Sequence, residues 1–219
     1  MLAFCLVVVV IICPKLWSWL NQPITRVEVH APFIYVQRSQ IESLLGERLN
    51  SRFFQLDLSS IRELLLVQPW LKEASLRKEW PDRLIVSLEE KEPVARWYNA
   101  KLISTDGGVF MPLSTGGFER LPVLKGSERQ AQAVMQQYLA ISQLLRPLGL
   151  VVSELELGRT GAWSFKIGGV QVNIGKDQRM ERLQRFVRLY HAQLESKWKS
   201  VKRIDLRYPN GASVAWGNG

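Results

Sequence analysis

Beyond Cys13 the chain contains no cysteine. No disulfide framework and no thiolate metal site can form in that part. Histidine is nearly absent: His30 and His191 stand 161 positions apart. A zinc site would need carboxylate partners at no recognisable spacing, so both read as structural residues. Nothing basic precedes Lys15 and no A-x-A-like triplet follows the first apolar run, which argues against a cleaved signal peptide. Internal repeats, low-complexity tracts and long linkers are missing. "GGVQVNIG" is glycine-rich but lacks the strand-to-helix setting of a phosphate loop, and it reads as a turn and a strand.

What is present is apolar and basic. Hydrophobic residues make up 47% of 219, enough for one large or two small domains. "LAFCLVVVVIIC" is uncharged, and "PKLWSWL" follows it. Counted to Leu20, the run approaches the roughly 20 residues that cross a bilayer. Lys15 is placed to snorkel, and Trp17 and Trp19 suit the interface. We therefore expect an uncleaved transmembrane anchor over residues 1–20. Such anchors normally carry a basic cytoplasmic flank, which is not seen here; either an internal start at Met1 or a chain trimmed ahead of it is the expectation that follows. The net charge is +9, and Lys176–Arg203 holds nine basic against three acidic residues. That balance suits an acidic partner or a solvated helix face. Nucleic acid is disfavoured, because Phe186, Tyr190 and Trp198 share the apolar stripe and are not free to stack on bases.

The periodicity predicts an α+β protein. "ITRVEVH" alternates as a strand over Ile24–Val29. "RSQIESLLGERL" reads as a helix with a capping-box pattern at Ser39 and Glu42 and a stripe of Ile41, Leu44, Leu45 and Leu49. A second helix runs from Ser59 to Val67, capped by Asp57 or Ser59 and stopped by Pro69. "KEASLRK" and "RLIVSLEE" are strands around Glu79–Asp82. The β-α-α-β-β unit occupies residues 24–91, with both helices expected on one face of a three-stranded sheet. Residues 92–216 form a second, mostly antiparallel β-domain. Its strands are expected at Val94–Tyr98, Lys101–Thr105, Val109–Met111, Leu150–Leu157, Trp163–Ile167, Val170–Ile174 and a closing hairpin. Two helices interrupt them. One follows Ser127. The other buries Leu183, Phe186, Val187, Tyr190 and Leu194 and carries Arg179, Arg182, Arg185 and Arg188 beside that stripe.

Few patterns suggest catalysis. Ser196 and Lys199 form S-x-x-K, but at a helix end and without accompanying motifs. Glu89, Glu90 and Glu92 read as acids solvating a strand end. No cofactor or metal is expected. The chain's end is more informative: "RIDLRYPNGASVAW" places Asn210-Gly211 between two alternating runs, a hairpin signal. The last strand, Ala212–Trp216, carries no charge or proline to blunt its edge.

"QPWLKEASLRKEWPDRLIVSLEEKEPVARW", with "STDGGVFMP", "LPVLKG", "RLQRFVRLY" and "IDLRYPNGASVAW" in order, resembles the FtsQ/DivIB family of bacterial cell-division proteins over about Ile24 to Trp216. The resemblance implies a POTRA domain followed by a β-domain. It implies a single-pass inner-membrane protein with its bulk in the periplasm, concentrated at the septum, and without enzymatic activity. It implies a scaffold that binds FtsB and FtsL and links early components such as FtsK to the septal synthases FtsW and FtsI. On this reading FtsB is received by strand addition, at Tyr208, Gly211, Ala212, Ser213, Val214 and Trp216, with Leu189 near the same groove. Leu76 and Lys78 match positions of other division contacts, although sheet packing accounts for Leu76 equally well. An Arg found in many relatives three residues before the Trp of "AWSF" is here Thr160, with Arg159 one position earlier. The competing reading is an envelope POTRA chaperone or translocation component; it needs tandem POTRA units or a membrane barrel.

Overall fold

Alternating Val27 and Val29 with the charged residues around them builds a strand, β1 (Arg26–His30). In this computed structural model, residues 17, 19–46, 51–98 and 100–217 are described. The expected anchor lies outside them except for Trp17, Trp19 and Leu20. Among the described residues, no helix is long and apolar enough to cross a membrane. The chain divides into two units at Lys91 and Glu92.

The first unit continues with α1 (Arg38–Gly46), α2 (Leu58–Leu66), β2 (Leu71–Glu79) and β3 (Arg83–Glu90). The sheet order is β1-β3-β2. β1 runs parallel to β3, and the hairpin partner β2 runs antiparallel to it. A parallel pair needs a crossover connection, and the two helices lie in it. Ile41 and Leu45 of α1, Ile61 and Leu65 of α2, and Ala74, Leu84, Val86 and Leu88 of the sheet share one buried cluster. Asp57 caps α2, accepting the Ser59 amide at 2.9 Å and the Ser60 hydroxyl at 2.8 Å. Ser39 is not the cap of α1. It lies inside the helix, and the Gln37 carbonyl accepts the Gln40 and Ile41 amides. Glu42 turns to Arg38 at 3.6 Å, so the expected reciprocal cap does not form.

The second unit holds β4 (Pro93–Trp97), β5 (Lys101–Ser104), β6 (Val109–Phe110), β7 (Val123–Lys125), β8 (Val152–Leu157), β9 (Trp163–Ile167), β10 (Val170–Gly175), β11 (Val201–Asp205) and β12 (Ser213–Trp216). They form one nine-stranded sheet in the order β12-β11-β10-β9-β8-β7-β4-β5-β6. Five of the eight pairings are antiparallel; β10–β11, β7–β8 and β4–β7 are parallel. α3 (Ala131–Leu145) connects β7 to β8, and α4 (Arg179–Leu189) begins the connection from β10 to β11. Val134, Ile141 and Leu145 of α3 and Leu183 and Phe186 of α4 are buried with Trp97, Leu124, Leu155, Phe165, Val172 and Ile204. Apolar residues at spacings of four, from Phe186 to Tyr190, Leu194 and Trp198, outrun the 3.6-residue helical period. A π turn over Tyr190–Leu194 widens the helix there and keeps these side chains on the core. This half is strongly basic: residues 92–219 contain 18 Lys or Arg against 10 Asp or Glu.

Candidate partner-binding edge

β12 ends the sheet order and is paired along one side, antiparallel to β11, with Asp205 opposite Ser213, Ile204 opposite Val214, Arg203 opposite Ala215 and Val201 opposite Trp216. The register shifts between Val201 and Arg203. This bulge lets Val201 and Ile204, three residues apart, both be buried, which a period of two would forbid. Main-chain direction along β12 follows from two bonds. The Leu206 amide donates to Asn173 of β10 at 2.9 Å, and the Gly217 amide donates to Ser200 at 2.6 Å. Since N–H and C=O groups alternate sides along a strand, Ser213 and Ala215 turn theirs to β11. Val214 and Trp216 turn theirs away from the sheet.

The turn before β12 differs from the expected tight hairpin. β11 stops at Asp205 and β12 starts at Ser213, and neither Asn210 nor Gly211 has the positive φ that a type I′ turn demands. Local bonds take over. Asp205 accepts both the amide and the guanidinium of Arg207, at 3.0 and 2.9 Å. Arg185 Nη1 donates to the Gly211 carbonyl at 2.9 Å and to that of Tyr208. Tyr208 thus lies in the loop, 57% exposed. Tyr208, Pro209, Asn210, Gly211, Ala212 and Ser213 line one concavity of about 540 Å³. Hydrogen bonds from Arg207, opposed in part by burial, hold the Asp205 carboxyl below the usual carboxylate range.

The arginines of α4 are not a uniform solvated stripe. Arg182 is half-buried and donates to the Ile174 carbonyl at 2.6 Å. It presses on Gly175, where φ is +85° and an added Cβ would lie 2.6 Å from Arg182 Nη1. Arg179 sits 5.3 Å from the Trp163 ring. Arg188 is exposed. Spacing alone could not separate these four. The one available signal was their place beside the apolar stripe, where long side chains reach main-chain acceptors.

The structure brings six of the expected residues, Tyr208, Gly211, Ala212, Ser213, Val214 and Trp216, onto the closing loop and edge. Leu189, the last residue of α4, is half-buried against the same core cluster as Ala212 and Val214. In the first unit, Leu76 opposes Val86 and packs against the core. Lys78 Nζ lies 5.7 Å from the Phe53 ring. Ser196 and Lys199 are exposed on the 3-10 segment Glu195–Ser200. Glu90 is no solvating acid: it accepts the amides of Ile34, Tyr35 and Val36 at 3.1, 2.9 and 3.4 Å.

Residues 95–207 match the family described as "Cell division protein FtsQ/DivIB, C-terminal", and residues 22–91 match "POTRA domain, FtsQ-type". The chain belongs to the FtsQ/DivIB family. A "Cell division protein FtsQ" of Cellvibrio japonicus is 34% identical over 201 residues, 91% of this chain and 63% of that protein. One of Hahella chejuensis is 33% identical over 200 residues and is covered to 72%. One of Xanthomonas campestris is 34% identical over 193 residues and is covered to 69%. The three-stranded unit with two helices is therefore the FtsQ-type POTRA domain, and the nine-stranded sheet belongs to the FtsQ/DivIB C-terminal region. In this member Arg159 and Thr160 are exposed in the turn between β8 and β9.

Proposed function

We propose that this chain is a non-catalytic cell-division scaffold whose β-domain receives a strand of FtsB along the outer side of β12. FtsL joins the complex, and the scaffold connects early components such as FtsK to the septal synthases FtsW and FtsI. The apolar N-terminal run holds it in the inner membrane, with both units in the periplasm at the septum. Support comes from the family membership and from one observation above all. β12 presents the main-chain groups of Val214 and Trp216 outward, with no proline or charge to block them. In strand addition, main-chain hydrogen bonds supply affinity and side-chain contacts supply specificity. Tyr208 and Trp216, 57% and 49% exposed at either end of the edge, are suited to act as aromatic anchors. The basic character of residues 92–219 favours a partner segment with acidic residues.

The test is a titration of the purified chain with the membrane-external segment of FtsB. An anchor contributes about 2 kcal/mol or more on truncation, so Tyr208→Ala weakens binding about 30-fold at the usual tenfold per 1.4 kcal/mol. Undiminished binding by folded Tyr208→Ala and Val214→Pro variants would refute this edge as the receptor.

A further inference from the structure

Four large aromatic side chains are exposed where the chain enters the POTRA unit: Trp17, Trp19, Phe54 and Trp80, each between 47% and 57%. Soluble domains seldom leave so many together without a use. They form two pairs. Trp17 stacks on Phe54 with ring centroids 5.7 Å apart, and Trp19 meets Trp80 edge-on at 5.1 Å. Residues two apart in helical backbone point to opposite sides, so the pairs flank the entering segment. The segment itself is fastened. The Asn21 side chain is buried and accepts the Phe54 amide at 3.1 Å, and the Gln22 carbonyl accepts the Phe53 amide at 2.9 Å. Arg52, exposed beside the collar, adds positive charge.

Trp17 follows the uncharged run Leu2–Cys13 by four residues. Tryptophan favours the level of the lipid headgroups, where its apolar ring and its N–H are both satisfied. We propose that this aromatic collar seats the POTRA unit directly on the bilayer surface. Phe54 and Trp80, far from the apolar run in sequence, then enter the interface together with Trp17 and Trp19. The unit is held close to the membrane, with little free linker between them. The proposal rests on the membrane anchorage proposed above and extends it from the N-terminal run to the folded unit.

The experiment uses the full chain reconstituted in phosphatidylcholine–phosphatidylglycerol vesicles, with lipids brominated near the headgroup as contact quenchers of tryptophan. Trp80→Phe is expected to remove part of the lipid-quenched emission. Phe54→Trp, at an exposed position, is expected to add to it. Trp97 and Trp163, buried in the other unit, remain as the unquenched background. If the chain floats with the vesicles while both variants leave the quenched component unchanged, the docking is overturned and the anchor stands. If the chain does not float with the vesicles, the anchor is overturned and the docking falls with it.

Discussion

The Leu206 amide and the Asn173 carbonyl, 2.9 Å apart, set which amides of the closing strand face out. Ala215 turns inward to β11 and Val214 outward. Proline removes one donor wherever it is placed. Ala215→Pro should destabilise the protein by about 1–3 kcal/mol, the cost of a lost ladder bond and an acceptor left unpaired. Val214→Pro should cost about 1 kcal/mol or less, yet abolish the FtsB binding proposed for this edge. Circular dichroism melts alongside binding titrations check both. Equal destabilisation by the two prolines would contradict the assigned strand direction.

Arg185 holds the loop that carries Tyr208. Hydrogen bonds from a charged donor contribute about 1.5–3 kcal/mol, so Arg185→Ala should lower stability by about that much and weaken partner binding through the displaced loop. Arg188 has no hydrogen bond or ion pair among the described residues. Arg188→Ala should stay within about 0.5 kcal/mol of the parent. Chemical denaturation of the two variants side by side decides this.

Glu90 ties the segment after β1 to the end of β3 through three amides. Glu90→Ala should cost about 1–3 kcal/mol, because those donors are left without their acceptor. Glu90→Gln keeps one carbonyl oxygen and should cost less. Urea midpoints at constant m-value would show the order.

Acid should destabilise the fold by a definite route. Asp82 is held below the ordinary carboxylate range by hydrogen bonds from Arg26 and Thr25, and Asp205 by those from Arg207. At Glu154 burial pushes the other way, but Lys125 and Lys166 outweigh it. A carboxylate depressed in the folded state contributes stability that is complete above its unfolded value, about pH 4. That contribution is lost as pH falls through the lower folded value. Melting temperature should therefore be insensitive to these groups at neutral pH and fall below about pH 4. Asp205→Asn should lower the neutral-pH plateau and make the acid limb shallower.

Much of this architecture was legible in the residues. Alternation and apolar stripes are local signals, and they located β9, α2 and α4 closely. Other features depended on contacts distant in sequence. β7 is three residues long, below the length at which a period can be read, and exists because β4 and β8 flank it. Asn210-Gly211 suggested a tight turn, but Asp205, Arg207 and Arg185 supply competing bonds that stretch the connection from Leu206 to Ala212. In the sequence Glu90 is one acid among three; what sets it apart is its contact with the amides of Ile34 to Val36, more than fifty positions away. The edge residues were legible as an unprotected strand. Which of their amides face out was not, since that depends on a bond to β10.

The bulge behind β12 bears on what the protein does when no partner is present. An open edge is a hazard because identical edges can zip together into stacks. Such growth favours flat, extended runs of six or seven residues. Here the edge is four residues long, and the extra residue in β11 increases its local twist. The same irregularity that keeps Val201 and Ile204 in the core thus disfavours aggregation of the unoccupied protein, while leaving enough main chain for one correctly curved strand.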